Sequence, residues 1–199
     1  MDIDTSVVFK HLQHSKQRYI VEQGGTRSGK TYNILVWLIV YAIKNKGVTI
    51  SIVRKSFPSL RTSVMRDFFE ILNNLNLYSE RLHNKTESTY KLNGGIIEFI
   101  SVDTPQKIRG RKRHVCFINE ANELTKEDYF QLNIRTTDRM ICDFNPSEDF
   151  WIYDEVVSRD DCDFHITTYK DNPFLPQTLI DEIEPVSYTH LRAHETKAN

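Results

Sequence analysis

Residues Gly24 to Thr31 spell G-G-T-R-S-G-K-T, a full match to the phosphate-loop pattern G-x-x-x-x-G-K-[ST]. Residues of these types at this spacing bind the phosphates of a nucleotide. Gly24, Gly25, Thr26, Arg27, Ser28 and Gly29 form a tight turn whose backbone N–H groups converge on phosphate oxygens. Lys30 adds a point charge at the β- and γ-phosphates, and Thr31 offers a hydroxyl to Mg²⁺. The loop follows the apolar run Tyr19–Val21 and opens a helix-like stretch from Thr31 to Lys44. Strand, loop and helix in that order are the setting in which the pattern carries its chemistry.

A hydrolytic site needs carboxylates as well. The apolar run Val115–Ile118 ends in Asn119-Glu120, where such sites carry two acids. Glu120 suits the general base that takes a proton from the attacking water. Asn119 lacks the charge of the first acid, although its amide oxygen can accept from a metal-bound water. Glu123 or Asp143 is available to compensate. A third element is Asp143-Phe144-Asn145-Pro146 after the strand-like Arg139–Cys142. Asn145 reads either as a γ-phosphate sensor or as part of a plain Asn-Pro turn. The run Lys107–Arg113 holds five basic residues in seven. It reads as a solvated loop, as a contact to a phosphate backbone, or as the source of an arginine finger acting from a neighbouring subunit. Arg27 offers similar charge in cis, and Arg54-Lys55 is a weaker candidate. Gln13, Gln17, Tyr19 and Gln23 are positional candidates for contacts to the nucleotide base.

The elements that must position these groups follow from periodicity. A short helix is expected within residues 1–17, strands at Tyr19–Gln23 and Val48–Val53, and an amphipathic helix over Pro58–Asn76. Tyr90–Leu92 and Ile96–Val102 flank Asn93-Gly94-Gly95 as a β-hairpin. Val115–Ile118, Arg139–Phe144 and Phe164–Thr168 read as strands, with helices at Lys126–Leu132 and Pro176–Glu184. Strands alternating with helices predict an α/β domain with a mainly parallel central sheet. Residues 24–31, 54–55, 119–120 and 143–145 fall at carboxyl ends of strands, where such sheets bind ligands.

The 199 residues make one domain, or one domain plus an appendage, and 39% hydrophobic with 27% charged residues is an ordinary globular balance. A net charge of −1 gives no global pull toward nucleic acid, so any such contact must be local. Cys116, Cys142 and Cys162 have no metal-ligand spacing and form no disulfide framework. Cys116 and Cys142 read as small buried strand residues. The most apolar stretch, Ile34–Ile43, is too short to span a bilayer, and no secretory leader is evident.

Taken together, these segments resemble the ATPase domain of the large terminase of tailed phages, the motor that pumps DNA into proheads. The resemblance runs from about Arg18 to Pro176. It rests on the phosphate loop, I-V-R-K-S-F-P-S-L-R at 52–61, T-P-Q-K-I-R-G at 104–110, F-I-N-E-A-N-E-L at 117–124, D-F-N-P at 143–146 and T-Y-K-D-N-P-F-L-P at 168–176. It implies a RecA-like P-loop fold of the additional-strand, catalytic-glutamate class, with ATP and Mg²⁺ as cofactors. It implies Gly24–Thr31 as the ATP cradle, Glu120 as catalytic carboxylate, Asp143–Asn145 as the motif coupling hydrolysis to movement, and Arg109 as the arginine acting in trans. Thr31 and Asn119 are then the metal-site residues.

By the same resemblance, 1–150 is the ATPase core and 151–185 a small C-terminal lid subdomain. The implied partners are double-stranded DNA, further copies of the chain in a ring of five on the portal, the portal protein and the small terminase subunit. The implied place of work is the cytoplasm of an infected host, outside the mature virion and away from membranes. Residues 186–199 have no periodicity and resemble a translated sequencing-adaptor scar, so the nuclease domain of the family is expected to be missing here. Two other functions stay open: a helicase- or RecA-type ATPase with another task, and a nucleotide-binding module in which Asn119 impairs hydrolysis.

Overall fold

The computed structural model describes residues 5–103, 112–146 and 149–183. Its organising element is one eight-stranded sheet. The strands are β1 (Tyr19–Gly24), β2 (Thr49–Arg54), β3 (His83–Asn84), β4 (Thr89–Leu92), β5 (Gly95–Ser101), β6 (Arg113–Ile118), β7 (Thr136–Phe144) and β8 (Cys162–Thr167). Their spatial order is β3-β4-β5-β2-β6-β7-β1-β8. From β5 across to β8 neighbouring strands run parallel, and β3 and β4 join antiparallel at one edge. The β4–β5 hairpin turns on Asn93 and Gly94, both at positive φ, as a two-residue hairpin turn requires. β7 stands between the strand that feeds the phosphate loop and the strand that ends in Asn119-Glu120. It is the additional strand that the resemblance implies.

Helix α1 (Val7–His14) starts on Ser6, whose hydroxyl accepts from the Val8 N–H. Helix α2 (Lys30–Lys44) is rich in β-branched residues, and nine of its side chains are buried. Packing against the sheet outweighs its modest propensity. Inward alternation of the strands divides the core in two. Ile20, Ile52, Phe117 and Ile141 meet α1 and α2 on one face, while Val21, Val53, Cys116 and Cys142 meet the segments around Tyr129, Leu132 and Ile152 on the other. Each such buried side chain contributes roughly 1.5–3 kcal/mol. The buried Cys116 and Cys142 are core residues, as expected.

One element differs from the periodicity. The helix expected over Pro58–Asn76 is three pieces: α3 (Phe57–Leu60), a π-helical turn (Arg61–Met65) and α4 (Arg66–Asn74). Thr62 and Ser63 hydroxyls donate to the carbonyls of Pro58 and Ser59, at 2.9 and 2.6 Å, which loosens the ladder there. Further on, α5 (Lys126–Asn133) carries a Thr125–Asp128 capping box. The resemblance implies a lid over 151–185. β8 comes from this segment and pairs with β1 along its length, from Tyr19↔Cys162 to Gly24↔Thr167. β8 is thus part of the central sheet, while Asn172 and Phe174 lie beside the phosphate loop. A helical turn at residues 177–183 ends the described chain.

Candidate nucleotide site

β1 ends on Gly24, and α2 begins at Lys30. A Cβ on Gly24 would lie 2.5 Å from the carbonyl oxygen of Thr167, so only glycine lets β1 and β8 close up here. Gly29 takes φ +80° and turns the chain into α2, and Arg27 also takes a positive φ. The first N–H groups of a 15-residue helix therefore point out of the sheet's carboxyl edge, as an anion requires. Lys30 is buried. Its ammonium donates to the carbonyls of Gly24 at 2.6 Å and Gly25 at 3.3 Å, to Ser28 Oγ and to Asn145 Oδ1 at 3.1 Å. Burial lowers its pKa, while Asp143 and Glu120 nearby push it back up.

The acidic half of the site gathers on Asp143. Its Oδ2 accepts from Thr31 Oγ1 at 2.6 Å. Its Oδ1 accepts from Asn119 Nδ2 at 2.9 Å and from the Glu120 N–H at 3.0 Å. Asp143 is buried, and burial raises its pKa against the pull of these donors and of Lys30. Asn119 thus turns its amide nitrogen, not its oxygen, toward the site. The carboxylate beside the P-loop hydroxyl comes from the additional strand β7. Glu123, the other candidate to compensate for Asn119, is instead paired with Arg54 at 3.2 Å. Arg54 also donates to Ser63 Oγ at 2.6 Å, so the π-turn holds it at the rim.

Glu120 sits at φ 55°, a left-handed backbone that lifts the residue off the strand end. Partial burial, and then the charge of Asp143, raise its carboxyl pKa. An oxygen-rich pair such as Thr31 and Asp143, next to a buried ammonium and a helix N-terminus, has the donor chemistry of a hard cation bound with a phosphate. Mg²⁺ fits these residues.

The structure brings together Gly24–Thr31, Asn119, Glu120, Asp143 and Asn145. Arg27 lies exposed on the loop, with its carbonyl held by Asn172 Nδ2 at 2.9 Å. Arg109 and most of its basic run fall outside the described residues, and Arg113 is buried at the start of β6, on the far edge of the sheet. Gln13 lies against Lys44 and Asn45 at the other end of α2, about 20 Å of helix away from the loop. Tyr19 and Gln17 also lie at the far edge, and Gln23 accepts from the Tyr153 hydroxyl on the opposite face. None of the four base-contact candidates borders the loop's helix start. Sequence reasoning also missed a buried cluster just upstream. Glu22, with no exposed surface, accepts from His11 Nδ1 at 2.6 Å and His165 Nδ1 at 2.8 Å, while His11 Nε2 meets Asp163 at 3.0 Å.

A phosphate loop opening α2, an additional strand and a glutamate-ended strand beside it define a P-loop α/β domain of the additional-strand kind. Residues 16–195 match the family model for the phage terminase large subunit, and the chain belongs to that family. The matched stretch includes 186–195, most of the tail that reads as foreign in the sequence. No curated protein matches the chain by sequence. Among solved structures, the large terminase of a thermophilic bacteriophage superposes with a TM-score of 0.80 at 15% identity, covering 92% of this chain and 50% of its own. The complex of that terminase with ATP-gamma-S gives 0.68 at 14% identity, covering 91% and 49%. The ATPase domain of the Thermus phage P74-26 large terminase gives 0.62 at 13% identity, covering 80% of this chain and 79% of its own. The chain thus spans about half the length of the thermophilic-phage terminase and most of the P74-26 ATPase domain. Its fold is that of terminase ATPase domains.

Proposed function

We propose that this chain is the ATP-hydrolysing motor part of a phage terminase large subunit, driving double-stranded DNA into proheads. The observation that carries the reading is the meeting of Lys30, Thr31, Asp143 and Glu120 at one strand edge. The thermophilic-phage terminase has been solved with ADP and with ATP-gamma-S, which supports a nucleotide at the equivalent loop here. In this reading the loop N–H groups and Lys30 hold the β- and γ-phosphates. Thr31 and Asp143 would hold Mg²⁺, which when bound neutralises charge on the phosphate oxygens. Asn119 orients Asp143 by donating to it. Glu120 takes the proton of the attacking water, and its raised pKa strengthens it as a base near neutrality. Asn145, bonded to Lys30, links the γ-phosphate to the end of β7 and so to movement. Arg109 supplies charge to a neighbour's phosphate in an assembled ring, and the part of 151–185 that follows β8 serves as the lid.

The test is equilibrium binding of Mg·ATP together with capture by purified portal vertices. Lys30→Ala is expected to lose ATP binding while remaining folded, and the native chain to bind portal. ATP binding unchanged by Lys30→Ala would overturn the nucleotide site. ATP hydrolysis without portal binding would favour a RecA- or helicase-type task.

A further inference from the structure

Beside the helix start lies a cavity of about 300 Å³ lined by Gly29, Tyr32, Asn33, Asn172 and Phe174. Tyr32 and Phe174 are 43% and 49% exposed, so both present ring surface at the cavity. The wall carrying Phe174 is built, not loose. Thr168 and Asp171 form a reciprocal cap, and Asn172 reaches back to the Arg27 carbonyl and accepts from the Phe174 N–H at 3.2 Å. Asn172 also packs against Gly29, where an added Cβ would meet its Cγ at 3.5 Å. Asn33 is equally committed. Its Oδ1 accepts from the Ser6 N–H at 2.8 Å and its Nδ2 donates to the Gly29 carbonyl at 2.9 Å.

We infer that this cavity seats the base of the bound nucleotide, and that it does so by stacking on Tyr32 and Phe174 and not by reading the base edge. The proposal rests on the phosphate-site reading above, because the cavity shares Gly29 with the loop and continues from it. Both asparagines use their amide groups to fix the loop, α2 and the wall. What they leave toward the cavity is aromatic surface, which accepts any base through its π-face. The site then holds purine nucleotides with little discrimination between adenine and guanine.

Calorimetric titration with ATP and with GTP tests this on the native chain, Tyr32→Ala, Phe174→Ala, Phe174→Tyr and Lys30→Ala. Both aromatics are half-exposed, so their alanine variants are expected to melt with the native chain. Each should weaken ATP and GTP on the order of tenfold, with Phe174→Tyr close to native. The native chain should bind ATP and GTP within about threefold of each other, as stacking implies. ATP binding that Lys30→Ala abolishes but both alanine variants leave intact would overturn the base seat alone. A preference for ATP on the order of thirtyfold or more would overturn seating by stacking, since it needs edge-reading groups. A native chain that binds neither nucleotide would overturn the phosphate site and this seat with it.

Discussion

At the scale of single residues, the informative one is Asp143. A strand ending in Asn119-Glu120 is one charge short for a hydrolytic metal site, and Asp143 stands 2.6 Å from the P-loop hydroxyl to supply it. The geometry suits an asparagine at this position nearly as well, since its amide would accept from Asn119 and Glu120 and donate to Thr31. Burial raises the Asp143 pKa, so ionising this carboxyl is harder in the folded than in the unfolded chain and costs stability as pH rises. Asp143→Asn should therefore melt at or above the native temperature at pH 8, while ATP turnover falls on the order of a hundredfold. Adding Asn119→Asp to that variant should restore part of the turnover, because the charge returns to the strand next door. Turnover unaffected by Asp143→Asn would remove Asp143 from the site. The strand–loop–helix around Gly24–Thr31 and the strand end at Glu120 were legible in the sequence because local spacing carries them. Asp143's contact with Thr31 was not, because it depends on β7 lying between β1 and β6.

At the scale of elements, the same limit explains most differences. Strand and helix identities follow from period and turn residues, and β1, α2, the β4–β5 hairpin and α5 came out as expected. Neighbours in the sheet are set by tertiary packing, so the pairing of β8 with β1 could not be read from 151–185. Nor could the cluster that pairing creates. His11 on α1 has carboxylates on both ring nitrogens, Glu22 from β1 and Asp163 from β8, with His165 against the far oxygen of Glu22. Burial opposes protonation, but the hydrogen bonds and charges of Glu22 and Asp163 win and raise the His11 pKa to about 9. A raised histidine pKa means the stabilisation is complete below about pH 6.5 and is lost as pH rises through about 9. His11→Gln should cost roughly 1–3 kcal/mol at pH 6. Thermal melts of both proteins from about pH 6 to about pH 10 should show that gap shrinking as pH rises. A gap constant with pH would mean His11 is neutral in the fold.

At the scale of the molecule, the phosphate loop and Glu120 share the carboxyl edge of the sheet, and Arg109 lies outside the described residues. The buried Arg113, on the opposite edge, cannot reach the phosphates of its own subunit. If Arg109 acts on a neighbour, turnover per chain should climb with protein concentration. Arg109→Ala should then abolish the climb without changing ATP affinity. A rate per chain independent of concentration would leave the arginine no role in trans. A net charge of −1 offers DNA no general attraction, so any contact with DNA must use local patches.

The central claim is that Gly24–Thr31 and Glu120 form one site that binds ATP and cuts it. Single-turnover hydrolysis, measured beside ATP affinity in the native chain and Glu120→Gln, tests it most directly. Glu120→Gln is expected to keep its ATP affinity within about threefold and lose hydrolysis by at least about a hundredfold, the signature of a lost general base. Equal hydrolysis by the two proteins would contradict the account.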